Sequence, residues 1–185
     1  MLLREEAATL PSLRFFQPNY LSLATPHLLF LSAGSSAYEV TKAHIQALFL
    51  SGRYRTEKLC RYWSNNRDGF CLLPQCTGLK LIEDEEHILL HCRSLASTRQ
   101  RLWKFTGCFA SSSPVVAELL LTFTNPYHPL FSQFLVDCSV IPQVITLVQQ
   151  YGKEVLYPLF KVTRTWCYAL HRDRLKYLGR WRNFK

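Results

Sequence analysis

Apolar and polar positions along this chain alternate with a helical period, and the pattern predicts a mainly α-helical fold. The clearest start signal is Ser36-Ala37-Tyr38-Glu39, which reads as a capping box with Ser36 as N-cap and Glu39 at N3. Val40, Ala43, Ala47 and Leu48 then recur at helical spacing to about residue 50, and Gly52 ends the helix in a left-handed turn. A second, short helix is expected over residues 56–63, followed by the turn-rich loop 64–69. Ile88, Cys92, Leu95, Leu102 and Phe105 fall on one stripe, which predicts a continuous helix from about residue 84 to 105. Residues 107–129 carry the weakest pattern. Ser111-Ser112-Ser113-Pro114 reads as a linker that ends with proline at a helix start. Further helices are expected up to residue 138 and over 142–150, with Gly152 as the stop. After Pro158 one long helix is expected, with Leu159, Trp166, Leu170 and Tyr177 on an apolar side. Lys161, Arg164, Tyr168, Arg172, Lys176 and Arg180 gather on another side, and Arg174 and Leu175 break the pattern.

These signals divide the chain into four stretches. Residues 1–34, with Pro11, Pro18 and Pro26, read as an irregular or packed-down arm. Residues 35–106 carry helices and a cysteine-rich segment, 107–152 are a helical middle region with loops, and 153–185 are the basic C-terminal helix. At 185 residues the chain is long enough to bury a core.

Charge sharpens the picture. The formal net charge is +9, and residues 153–185 hold nine Lys/Arg against two acids. Such a patch suits phosphate backbones, anionic membrane surfaces or calmodulin-like partners, the plain alternative being a solvated face of a core helix. Residues 50–63, LSGRYRTEKLCRYW, interleave Arg53, Arg55 and Arg61 with Tyr62 and Trp63. Rings offer stacking faces and the cations phosphate contacts, while a helix with one buried aromatic face would give the same pattern. The first ten residues have acids at 5 and 6 and no apolar core, unlike a signal peptide. No apolar run reaches transmembrane length.

The densest chemistry is Cys71-x4-Cys76-x10-His87-x4-Cys92. Two thiols on a tight loop, followed by His and Cys at a helix start, can close a tetrahedron of soft donors around one structural Zn2+. Pro74 favours the first turn, and Asp84 can cap the helix. His91 in place of His87, or Cys60 in place of Cys71, are alternative ligands, and small buried residues in a core are the non-metal reading. Cys108, Cys138 and Cys167 read as core thiols. Enzymatic motifs are not visible: there is no Asp-Asp pair, glycine-rich phosphate loop, GxSxG or HExxH.

Three segments carry a resemblance: AHIQALFLSGRYRTEKLCRYWSNN, the acidic run before HILLHC, and LFKVTRTWCYALHRDRLKYLGRW. They resemble the C-terminal region of non-LTR (LINE-type) retrotransposon reverse transcriptases, over most of the chain from about Ala37 and most weakly over 107–129. The resemblance implies a zinc knuckle on Cys71, Cys76, His87 and Cys92, with the acidic residue before the histidine on Glu83. It implies an intracellular protein, nuclear or cytoplasmic, that handles RNA or DNA beside a polymerase domain. The polymerase and endonuclease motifs of that family are absent from this sequence, so the expected role is binding without catalysis. Arg53, Arg55, Arg61, Tyr62, Trp63, Arg164, Arg172, Lys176 and Arg180 are the expected nucleic-acid contacts. The runner-up is a module that docks onto a separate polymerase domain and binds no nucleic acid itself.

Overall fold

A computed structural model describes residues 27–64, 66–112 and 114–179. Its helices are α1 (Leu28–Leu31), α2 (Ala37–Leu50), α3 (Glu57–Arg61), α4 (Ala96–Ser112), α5 (Pro114–Phe123), α6 (Phe131–Val136), α7 (Pro142–Tyr151) and α8 (Leu156–Tyr177). A π turn at His87–His91 and 3-10 turns at Arg93–Leu95, Cys138–Val140 and Lys153–Val155 complete the order. Among the described residues the only β pairing is an isolated antiparallel bridge between Phe70 and Ile82.

The fold is built around α8, which packs against α2, α4 and α6. Its buried face is broad, with Leu159, Phe160, Trp166, Cys167 and Leu170 removed from solvent. The Trp166 ring meets Trp103 of α4 and Phe131 of α6 edge-on, with centroids 5.5 and 5.4 Å away. Its indole N–H donates to Thr106 Oγ1 at 3.0 Å, so the ring is buried without a lost hydrogen bond. Gln46 on α2 donates from Nε2 to the carbonyls of Leu135 and Val136 and to Thr163 Oγ1. It thereby satisfies acceptors that the end of α6 leaves open, and joins α2, α6 and α8 at one point.

Most helix boundaries follow the sequence signals. Thr56 caps α3 by accepting from Leu59 N at 3.0 Å. Pro114 opens α5 and Pro142 opens α7. Gly52 and Gly152 sit at φ +63° and +86°, where a side chain would be strained.

Other expectations change. Ser36 precedes α2, but its hydroxyl makes no cap bond, and Glu39 instead binds Lys42 and Arg164. Val40 is 41% exposed, and Ile45, Gln46 and Phe49 face the core instead. The 84–105 helix is interrupted at Cys92, and α4 then runs on to Ser112, through Gly107. Of the expected core thiols, Cys138 and Cys167 are buried but Cys108 is exposed. The expected arm over residues 1–34 lies mostly outside the described residues. Its last part is α1, whose Leu29 and following Ala33 are buried. No described helix is long and apolar enough to cross a membrane.

Candidate metal centre and basic aromatic surface

The two arms of the cysteine segment are brought together by short backbone pairing. Cys71 N donates to Leu81 O at 2.8 Å and Glu83 N to Gly69 O at 2.9 Å, flanking the Phe70–Ile82 bridge. Gly69 has φ +82°, a backbone angle that favours glycine, while a Cβ there would make an ordinary contact with Lys58 Cα at 3.4 Å. On the first arm, Cys76 N and Thr77 N both bond Leu73 O, closing the turn through Pro74. On the second, Asp84 accepts from His87 N at 2.8 Å, the expected cap.

The π turn then sets the ligand geometry. An α-helix turns about 100° per residue, so five steps would leave His87 and Cys92 about 140° apart. The turn is instead closed by Cys92 N donating to His87 O at 2.6 Å, the i to i+5 bond of a π turn. The wider turn returns both side chains to one side. Cys92 leaves helical geometry at ψ 116°, and the chain restarts as a 3-10 turn.

The result is a buried Cys3His cluster. The donor atoms of Cys71, Cys76, His87 and Cys92 all lie within 4.8 Å of one another. Cys76 Sγ is 3.7 Å from His87 Nε2 and 3.7 Å from Cys92 Sγ, and Cys71 Sγ is 4.0 Å from Cys92 Sγ. These sulfurs are not bonded as disulfides. A tetrahedron with metal–sulfur bonds of about 2.3 Å has edges of about 3.8 Å, so the set can hold a metal ion with little rearrangement. Neither alternative ligand belongs to it: His91 points to solvent, with Glu86 3.9 Å away, and Cys60 is buried elsewhere. The hydrogen bond shared with Cys92, together with burial, raises the Cys71 thiol above its ordinary range. A bound cation would reverse that preference, because metals take thiolates.

Arg99 of α4, missed in the sequence, stands against this cluster. It is 5% exposed and donates to Cys92 O at 2.6 Å and to Ile88 O at 3.5 Å. Burial lowers its pKa, while Cys92 and Cys76 raise it. Among the described residues it has no carboxylate partner.

The break in the α8 pattern at Arg174 also has a cause. Arg174 is buried, forms an ion pair with the buried Glu83, and lies over the Tyr54 ring with its guanidinium carbon 5.6 Å from the centroid. Glu83 also accepts from Glu57 N at 2.9 Å. Tyr54 OH is 3.0 Å from His171 Nδ1, and burial followed by Arg174 lowers the His171 pKa to about 4. Burial pushes the Tyr54 hydroxyl up to about 12. Glu83 and Arg174 therefore tie the cysteine segment to α8.

The expected nucleic-acid contacts among the described residues divide into three groups. Tyr62 and Trp63 are 75% and 71% exposed, and Arg53, Arg55 and Arg61 are exposed with them. Among the described residues those three arginines make no side-chain hydrogen bond or ion pair. Arg172 and Lys176 are engaged with Asp173, at 3.1 and 3.4 Å, where Arg101 joins them at 2.8 Å. Three cations around one carboxylate leave a positive excess on that face. Arg164 is a correction: it is 4% exposed, not part of a solvated basic side. Its guanidinium is taken by Glu39 Oε2 at 2.6 Å and by the hydroxyl and carbonyl of Ser32. Arg180 lies outside the described residues.

Comparison of the chain with protein-family models, with curated proteins and with solved structures finds no match.

Proposed function

We propose that this chain is a zinc-stapled, non-catalytic module that binds RNA or DNA, of the kind its sequence resembles in non-LTR retrotransposon reverse transcriptases. One observation carries the reading. Two exposed rings, Tyr62 and Trp63, stand with the unpaired Arg53, Arg55 and Arg61 on the segment that leads into the Cys3His cluster. Rings stack on bases of any sequence, and cations neutralise phosphates, so the surface suits a single strand. Arg101, Arg172 and Lys176 add a second region of positive charge.

Zinc is the ion that suits the cluster best. Three thiolates and one imidazole form a closed, soft, tetrahedral set, which is a structural rather than catalytic site. With Zn2+ such a centre carries a charge of about −1 by counting three thiolates. The buried, otherwise uncompensated Arg99 supplies the opposite charge. The staple fixes the loop; the rings and arginines bind.

The test is metal content followed by strand binding over a salt series. One zinc per chain is expected. If about six phosphates are neutralised, log K falls with log salt at a slope near −5. A flat salt dependence would sink the reading. A second reading has its own support: Leu72, Leu79, Leu81 and Ile82 are exposed around the cluster. They suit docking onto a separate polymerase domain, and zinc with negligible strand binding would favour that role.

A further inference from the structure

Away from the cluster, α2, the loop over residues 51–56 and α8 enclose a cavity of about 230 Å³. Exposed His44, Arg53 and Arg55 form its mouth. Ile45, Leu48 and Leu175 supply apolar walls, and the buried Tyr54 and Arg174 stand at its inner end with His171. Among the described residues no carboxylate lines it.

Charge and size together define what would enter. Arg174 is already neutralised by Glu83, so the inner end does not call for an anion. The unmatched positive charge is at the mouth, on Arg53 and Arg55. The inner end offers polar groups whose charges are balanced: the Tyr54 hydroxyl bonded to His171, and Arg174 paired with Glu83. A neutral, flat, hydrogen-bonding ring between apolar walls fits that interior, with anionic groups left outside. The volume is below the roughly 300–1,000 Å³ of pockets that take whole small ligands. It suits a single small ring rather than a whole nucleotide.

We propose that this cavity takes one unstacked base of a bound single strand, with the neighbouring phosphates on Arg53 and Arg55. The inference rests on the nucleic-acid reading and adds a base site separate from the Tyr62 and Trp63 platform. Recognition of splayed-out bases in this way is how proteins read single strands.

The experiment compares a labelled single-stranded oligonucleotide with a fully abasic strand of the same length, by fluorescence anisotropy on the full chain. His44→Trp plugs the mouth at an exposed helix position, and far-UV circular dichroism confirms that its helices persist. In the parent, the natural strand binds more tightly than the abasic one. In H44W that gap narrows about tenfold, the scale of one lost base contact, while the salt slope stays the same. Trp63→Ala narrows the gap independently, and the two effects multiply. A parent-like gap in H44W, with strands still binding steeply with salt, overturns the pocket alone. Absence of strand binding overturns the nucleic-acid reading and the pocket with it. Tight binding of inorganic phosphate or a nucleoside monophosphate without strand binding overturns it in favour of an anion site.

Discussion

Cys92 holds two positions at once: its sulfur joins the cluster and its carbonyl accepts from Arg99. Structural zinc contributes on the order of 10 kcal/mol of apparent binding energy, comparable to the stability of a whole domain. Cys92→Ser is therefore expected to lose the metal and order around residues 69–92. Cys138→Ser, in the core and outside the cluster, is expected to keep one metal per chain at a stability cost of about 1 kcal/mol. Elemental analysis of both proteins decides, and equal metal in the two refutes the ligand set. His171 gives a pH prediction. Its folded pKa, about 4, lies below the ordinary 6.5, so the unfolded chain takes up the proton first. Stability is fully present above about pH 6.5 and falls as pH drops through that value toward 4. The loss is roughly 3 kcal/mol at most, and less because the ring is partly exposed. Urea unfolding at pH 7 and pH 5 should differ less for His171→Gln than for the parent. A parallel pair of curves would remove His171 as the cause.

At the scale of elements, the joint between the cysteine segment and α8 is the Glu83–Arg174 pair. Breaking one partner of a buried pair leaves the other charge uncompensated, so Glu83→Gln should cost about 3 kcal/mol. Replacing both with apolar residues should recover part of that loss, and a Glu83→Gln midpoint matching the parent would contradict the pairing. The same scale separates what the sequence made legible from what it hid. Pro114, Pro142 and the two stop glycines act on their own neighbours, so their roles could be read locally. The break at Cys92 could not, because Ile88, Cys92 and Leu95 keep a helical stripe on both sides of it. Arg164 read as a solvated cation because its partners, Ser32 and Glu39, lie more than 100 residues away in sequence. Arg174 left a trace, as a misfit in the α8 pattern, but the pattern alone did not name Glu83. The four cluster residues were legible as a set, whereas the π turn that aligns His87 with Cys92 and the Arg99 beside them emerge only in three dimensions.

Across the molecule, the metal segment and the helical core share a hydrophobic interior but not the same anchors. Ile88, Leu89 and Leu95 belong to the core, whereas the large rings Phe49, Phe160 and Trp166 sit on α2 and α8. Chelation is expected to raise amide exchange over residues 69–92 by orders of magnitude while the centre of α8 stays protected, as for a locally opening unit. Uniform loss of protection would make the metal a global rather than local staple. The central place of α8 also orders events as the chain is made. About 85 residues separate Cys92 from Tyr177, roughly four to seventeen seconds of translation. Through that interval all four residues of the Cys3His cluster have been synthesised, but the helix that buries α2, α4 and α6 has not. On the proposed zinc reading, a nascent chain can thus load the ion early and keep three thiols out of oxidation, while Cys138 must wait for α8 to shelter it.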